Sequence, residues 1–260
     1  MRRYGLLGFP LSHSFSADYF ANKFDLEGID ATYQNFDLPS IDLLPTLLKE
    51  HPDLAGLNVT IPYKQAVISY LDALDKETEA IGAVNVIHFQ RDSKGRAFLT
   101  GYNSDLVGFR ESIRPLIEQL KGRLRTTGVQ QPQKLKALIL GTGGASKAVC
   151  YGLHQLDIDT LFVSRSSHSG GVVYDQLTPF YYSDYQIIVN TTPLGMFPNV
   201  DSFPPLDYNM IGTGHLLFDA VYNPLKTRFL EYGEERGALI ENGLDMLYRQ
   251  AEAAWNIWNA

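Results

Sequence analysis

Apolar residues fall along this chain in short bursts and spaced stripes, and the two patterns take turns. Tyr4 to Phe9 reads as a strand, and Ala17 to Phe24 as a helix with Tyr19, Phe20 and Phe24 on its apolar side. Thr32 to Leu38 is a second strand and Ile41 to Glu50 a helix. Leu54 to Val59 makes a third strand, Tyr63 to Leu74 a helix, and Val84 to Gln90 a fourth strand. Asp92-Ser-Lys-Gly95 is a hairpin turn leading into Ala97 to Thr100. Strands alternating with helices predict an α/β layer, mostly parallel, with a hairpin at one edge.

A second layer begins further on. The burst Ala137 to Leu140 predicts a buried parallel strand, Gly141-Thr142-Gly143-Gly144 a turn, and the residues from about Ala145 a helix. Thr160 to Val163, Ile187 to Val189 and Leu216 to Val221 are further buried strands, and Thr227 to Glu235 a helix. Leu244, Leu247, Tyr248, Ala251, Trp255 and Trp258 form one helical stripe, with Gln250 on its flank.

Strand, glycine turn and helix, in that order, are what a dinucleotide-binding unit requires. Gly141 permits the turn, Gly143 lets a pyrophosphate approach the backbone, and the positive helix end favours the anion. Ser146 stands where the fingerprint usually has its third glycine. The next strand ends in Ser164-Arg165-Ser166, with Ser164 lying 23 residues after Gly141, where an NAD enzyme places a carboxylate on the ribose. There is none here, whereas Arg165 suits a 2′-phosphate and can lie on the adenine. The tip therefore favours NADP over NAD.

Composition narrows the class. The 260 residues allow one large domain or two ordinary ones, and 45% hydrophobic with 20% charged residues is globular. A net charge of −7 argues against a nucleic-acid partner. Lys121-Gly-Arg123-Leu-Arg125 reads as a solvated linker. One cysteine, Cys150, excludes an internal disulfide and suits a reducing cytosol, where it is expected as a small packing residue. No run approaches the ~20 apolar residues that span a membrane, so a cytoplasmic protein is expected. No metal site is expected.

Three spots in the first hundred residues carry polar chemistry that packing does not need. Ser12 and Ser14, two apart, point the same way on an extended backbone and suit a substrate carboxylate, or a helix cap. Around Asn58-Val-Thr-Ile-Pro-Tyr-Lys64, Pro62 predicts a helix start, placing Thr60 and Lys64 at a strand's carboxyl end beside a positive helix terminus. Asn85 sits inside an apolar run where a buried amide needs partners, and Asp105 opens an apolar helical pattern, where an N-cap is its simplest role.

Eight stretches in order resemble the shikimate dehydrogenase family nearly end to end. They are Gly8–Ser14, Asn58–Lys64, Gly82–Asn85, Gly101–Asp105, Gly141–Ser146, Asn190–Met196, Asp219–Pro224 and Asn242–Ala251. The resemblance implies reversible NADPH-dependent reduction of 3-dehydroshikimate to shikimate, in aromatic amino-acid (chorismate) biosynthesis. It implies two α/β lobes with a cleft between: a mixed-sheet substrate domain (1–104 plus 243–260) and a Rossmann-like NADP-binding domain (105–242). By resemblance Lys64 and Asp105 are the catalytic pair, and Ser12, Ser14, Thr60, Asn85, Tyr222 and Gln250 hold the substrate. Gly141, Thr142, Gly143, Gly144, Ala145, Ser164, Arg165, Ser166, Ala220 and Gly243 line the NADP(H) site. The partner is a small molecule, the chain a monomer or homodimer.

The family's second-strand tip usually reads Asn-Arg-Thr, so adenine-side bonds differ here, while Ser104 replaces a threonine. Gly122 to Gln133 reads as a longer connection, and Gly170-Gly171 follows a trimmed segment. A quinate/shikimate dehydrogenase using NAD or NADP is the near alternative. A non-catalytic sensor of a dinucleotide or small acid is the distant one.

Overall fold

The computed structural model describes residues 2–11, 14–126, 133–166 and 170–260. The chain divides into two compact units, Met1–Ser104 with Ala251–Ala260, and Asp105–Gln250. Among the described residues each unit holds one six-stranded sheet.

In the first unit β1 (Arg2–Gly8), α1 (Phe15–Leu26), β2 (Ala31–Asp37), α2 (Leu44–Glu50) and β3 (Leu54–Val59) follow in order, then β4 (Ala73–Leu74), α3 (Lys76–Ile81), β5 (Val86–Arg91) and β6 (Ala97–Tyr102). The strand order is β2-β1-β3-β5-β6-β4. β1 runs parallel to β2 and β3, β5 is antiparallel to β3 and β6, and β4 is parallel to β6. The carboxyl ends of β1, β3 and β6 and the start of β5 therefore share one edge.

Both faces of this sheet are covered. One carries Leu7, Leu57, Val59 and Ile87 into a core with Leu44 and Val67; the other carries Tyr4 and Val86 against Phe20, Phe24, Ala251, Ala254 and Trp258. Trp258 donates its indole N–H to the Ile87 carbonyl at 3.0 Å and packs, tilted, against Tyr4 and Phe20, ring centroids 4.7 and 5.3 Å away. It lies so close over Gly56 that a Cβ there would sit 2.3 Å from the indole nitrogen. Trp258→Ala is expected to cost about 3–5 kcal/mol of stability. Denaturant unfolding checks this, and a loss well under ~1 kcal/mol would mean that the tryptophan is not a core element.

The second unit is built from α4 (Ser104–Thr126), β7 (Lys136–Leu140), α5 (Gly144–Gln155), β8 (Asp159–Ser164), β9 (Gly171–Val173) and α6 (Pro179–Asp184). It continues with β10 (Ile187–Asn190), β11 (Leu216–Asp219), α7 (Arg228–Glu235), β12 (Leu239–Glu241) and the first half of α8 (Leu244–Trp258). All its strand pairs are parallel, in the order β12-β11-β10-β7-β8-β9. Ala137, Ile139, Ile187, Val189, Leu216 and Phe218 enter one core, while Leu138, Leu140, Ile188 and Leu217 enter the other. Two-sided cover is why these strands read as unbroken apolar bursts.

Several expectations need correcting. Tyr63 to Leu74 is not a helix: residues 61–65 turn, Ala66–Tyr70 is a 3-10 run, and Ala73–Leu74 is a strand on β6. The α-helix terminus expected beside Lys64 is therefore absent. Lys121–Arg125 is no linker but the last turns of α4, because Ile113, Ile117, Leu120 and Leu124 continue its buried stripe. The second unit boundary falls inside α8 rather than at 243. There α8 first crosses α4, where a Cβ on Gly108 would meet the Met246 carbonyl at 2.5 Å, and then packs on the first sheet through Ala254 and Trp258. Its buried positions are Met246, Ala251, Ala254 and Trp258, whereas Tyr248 is exposed. Cys150 is half-buried, its thiol 3.3 Å from the Thr160 hydroxyl.

Candidate functional site

The shared edge of the first sheet gathers most of the polar residues singled out in that unit. Thr60 follows β3 and donates its amide to the Leu7 carbonyl at 2.9 Å, while Phe9 donates to the Ile61 carbonyl at 3.2 Å. A Cβ on Gly8 would lie 2.5 Å from the Thr60 methyl, so the ends of β1 and β3 are pressed together there. Lys64 is half-buried, and its carbonyl accepts the Val84 amide at 2.7 Å, next to Asn85. Ser14 is the N-cap of α1, its hydroxyl accepting the Ala17 amide at 3.3 Å, which leaves its proton to donate. Ser12 lies outside the described residues.

A buried polar chain crosses this edge. The Tyr33 hydroxyl donates to the Asn58 Oδ1 at 2.8 Å, and the Asn58 amide donates to the Asn85 carbonyl at 3.3 Å. The Asn85 side chain accepts the Ser104 amide at 2.7 Å and donates to the Ser104 hydroxyl at 3.0 Å. Asn85 thus finds the partners that its burial demanded, and it fixes the first residue of α4. Asp105 is next in the chain, inside the first turn of α4 rather than at its cap.

In the second unit the sheet order reverses at β7, which has β8 on one side and β10 on the other. The crevice at such a reversal is where open α/β sheets take ligands. Gly141 leaves β7 with φ +107, and its amide donates to the Val163 carbonyl at 2.9 Å. Thr142 follows. Gly143 is the N-cap of α5 and has no side chain to serve the first-turn amides of Gly144, Ala145 and Ser146. A Cβ on Gly143 would meet nothing within 4 Å, so the backbone is open to an anion. Ser146 is accommodated where a glycine was expected, because its buried hydroxyl turns back onto the Gly143 carbonyl at 2.6 Å.

The tip of β8 sits beside this turn. Ser164 donates its hydroxyl to the Ser166 carbonyl at 2.5 Å, closing the tip on itself and leaving Arg165 and Ser166 exposed. Burial pushes the Tyr174 phenol up to about 12, and the Arg165 charge beside it opposes that rise. On the other flank the Gly243 amide donates to the Val221 carbonyl at 3.0 Å, and a Cβ on Gly243 would lie 2.3 Å from the Ala220 carbonyl oxygen. Ala220 and Gly243 are thus in contact. Tyr222, on the same loop, is half-buried, and burial raises its phenol. Gln250 is carried by α8 at its crossing with α4, where its Cβ is 3.0 Å from a Cβ built on Gly108, three positions after Asp105. Gly243→Ala is expected to force that loop away from Ala220 and cost about 1–3 kcal/mol. Thermal unfolding together with a dinucleotide titration checks it; an unchanged variant would mean that the close approach is not needed.

Sequence reasoning gave no role to the polar ends of β10 and β11. The Thr191 amide and hydroxyl both donate to the Leu140 carbonyl, at 3.0 and 2.6 Å, bracing the Gly141 turn from β10. Asp219 is wholly buried at the end of β11. The signal was present: Ile-Ile-Val-Asn190 and Leu-Leu-Phe-Asp219 each end an apolar burst on a polar residue.

A mixed α/β unit followed by a parallel sheet with a glycine turn at its reversal, an uncapped helix and an arginine at the next strand tip defines a two-unit dinucleotide-binding protein of Rossmann type. The substrate-binding domain of shikimate dehydrogenase, as a family model, matches residues 6–87. The NADP(+) shikimate dehydrogenase of Caldicellulosiruptor saccharolyticus is 34% identical over 275 residues, covering 99% of this chain and 92% of that one. Shikimate dehydrogenase from Aquifex aeolicus superposes with a TM-score of 0.82 at 30% identity, over 100% of this chain and 92% of that one. The Thermus thermophilus enzyme, solved in complex with NADP(H) and shikimate, gives 0.78 at 30% identity over 99% and 93%. The chain belongs to the shikimate dehydrogenase family.

Proposed function

We infer that this chain catalyses the reversible, NADPH-dependent reduction of 3-dehydroshikimate to shikimate. The observation that carries this reading is its similarity, over nearly its whole length, to shikimate dehydrogenases that use NADP(+). The open backbone at Gly143, the uncapped start of α5 and the exposed Arg165 fit a dinucleotide phosphate and a 2′-phosphate. NADPH supplies the hydride when bound.

The chain's own residues supply the rest. A carbonyl becoming an alkoxide needs a proton, and the Lys64 ammonium donates it. By resemblance the Asp105 carboxylate is the second catalytic group and accepts a hydrogen bond from a ring hydroxyl of the substrate. Ser14, Thr60 and Asn85, at one sheet edge, offer hydroxyl and amide donors to the substrate carboxylate and hydroxyls, as does Ser12 by resemblance. Tyr222 and Gln250 are assigned to the substrate by resemblance alone. Gly141 to Ala145, Ser164 to Ser166, Ala220 and Gly243 form the cofactor wall.

Among the described residues no helix is long and apolar enough to cross a membrane. A cytoplasmic, biosynthetic enzyme acting on a small molecule, as monomer or homodimer, is the setting that this chemistry suits. The test is absorbance at the reduced-nicotinamide band, with shikimate or quinate paired with NADP⁺ or NAD⁺. Shikimate with NADP⁺ is expected to be the fastest combination. Faster turnover of quinate, or of NAD⁺, would instead favour a quinate/shikimate dehydrogenase, and no turnover of any pair would favour a sensor.

A further inference from the structure

Asp219 is a buried carboxylate that the chemistry above does not use. Its three partners are all donors: Asn190 Nδ2 at 2.9 Å and the Val221 amide at 3.0 Å on Oδ1, and the Thr227 hydroxyl at 2.5 Å on Oδ2. The Thr227 oxygen also accepts the Leu230 amide at 3.4 Å as the N-cap of α7, so its proton is committed to Asp219. Three converging donors call for a residue that only accepts, which is an ionised carboxylate. Burial pushes the Asp219 carboxyl up to about 6, while Thr227, Val221 and Asn190 oppose the rise, so it is charged at neutral pH.

The bonds made by these partners lead to the cofactor loops. With its nitrogen held by Asp219, the Asn190 side chain turns its oxygen to the Thr192 amide and hydroxyl, at 3.0 and 2.6 Å. That sets the chain after β10, where Thr191 braces Leu140 and stands 2.9 Å from a Cβ built on Gly141. On the other side Val221, held by its amide, accepts the Gly243 amide, and Ala220 touches Gly243. Gly141, Ala220 and Gly243 are therefore each a few bonds from one carboxylate.

We propose that Asp219 is the positioning residue for the half of the dinucleotide site beyond the adenosine, fixing the loops after β10 and β11 against the Gly141 turn. This rests on the reading of that edge as the NADP site. Arg165 stands at the tip of β8, on the opposite flank of β7 from β10 and β11. The adenosine end is therefore outside the reach of Asp219.

The isosteric Asp219→Asn keeps the volume but turns an N–H toward groups that already donate. The test is calorimetric titration of wild type and variant with NADP⁺ and with adenosine 2′,5′-bisphosphate, which carries only the adenosine end. The variant is expected to bind NADP⁺ about tenfold or more weakly, the scale of a lost charge-assisted hydrogen bond, with bisphosphate affinity unchanged. Amide exchange is expected to rise in residues 190–196 and 219–224 but not within β7. Equal losses for both ligands, or none in a folded variant, would overturn the proposal. Should Asp219→Asn not fold, Thr227→Val and Thr227→Ser decide: valine weakens NADP⁺ binding and serine restores it, whereas equal affinities contradict the role. Wild-type protein that binds NADP⁺ but shows no shikimate turnover would sink the activity and leave this proposal standing. Wild-type protein that binds neither ligand would sink both.

Discussion

Replacing Lys64 by alanine is expected to lower kcat by ~10²–10⁴-fold, the usual worth of a general acid. The side chain is only half-buried and lies in a turn, so the first sheet should form as before. The loss should therefore appear in turnover, with circular dichroism and NADP⁺ affinity unchanged. Lys64→Arg separates charge from proton donation, because a guanidinium keeps the positive charge but does not release its proton at working pH. Arginine is expected to be nearly as slow as alanine. A Lys64→Ala enzyme turning over close to wild type would remove the lysine from the chemistry.

Removing the guanidinium of Arg165 is expected to weaken NADP⁺ binding by about 10–100-fold, the scale of one or two charge-assisted hydrogen bonds to phosphate. NAD⁺, which lacks the 2′-phosphate, should bind about as before. Arg165 is exposed at the end of β8, and Ser164 holds the tip by its own bond to Ser166, so the loop keeps its shape without the arginine. Parallel titrations of Arg165→Ala with both dinucleotides check this. Equal losses for NADP⁺ and NAD⁺ would show that the arginine does not read the 2′-phosphate.

The parts of the fold that were legible are those whose burial is written into the sequence. Leu138, Ile139 and Leu140, or Ile187 to Val189, face a core on either side, so their strands stand out as bursts. Short elements do not: β9 and β12 have three residues each, and β4 has two. The stretch from Tyr63 to Leu74 misled because Val67, Ile68, Leu71 and Leu74 have helical spacing, yet pairing of Ala73–Leu74 with β6 prevails over that period. Helix α3 was hidden because only Thr78 and Ile81 are buried in it, although Asp75 caps it by accepting the Glu77 and Thr78 amides.

In the site, the glycine turn and the Arg165 tip could be read from spacing, since backbone geometry dictates those residue types. Ser146 shows the limit of a fingerprint: a hydroxyl that bonds back to Gly143 serves where a glycine was expected. Asn85 could be recognised as a buried amide in need of partners, but not that Ser104 supplies them from nineteen positions away. Asp219 could not be assigned at all, because its meaning lies in three donors brought together from β10, its own loop and the cap of α7.

The proposed chemistry requires the Lys64 amine and the Asp105 carboxylate to work as one unit on the substrate. A double-mutant cycle of Lys64→Ala and Asp105→Asn, read as kcat/KM for shikimate with NADP⁺, decides whether they do. The double variant is predicted to be about as slow as the slower single variant, because either change already disables the pair. A double variant whose loss equals the product of the two single losses would contradict that coupling.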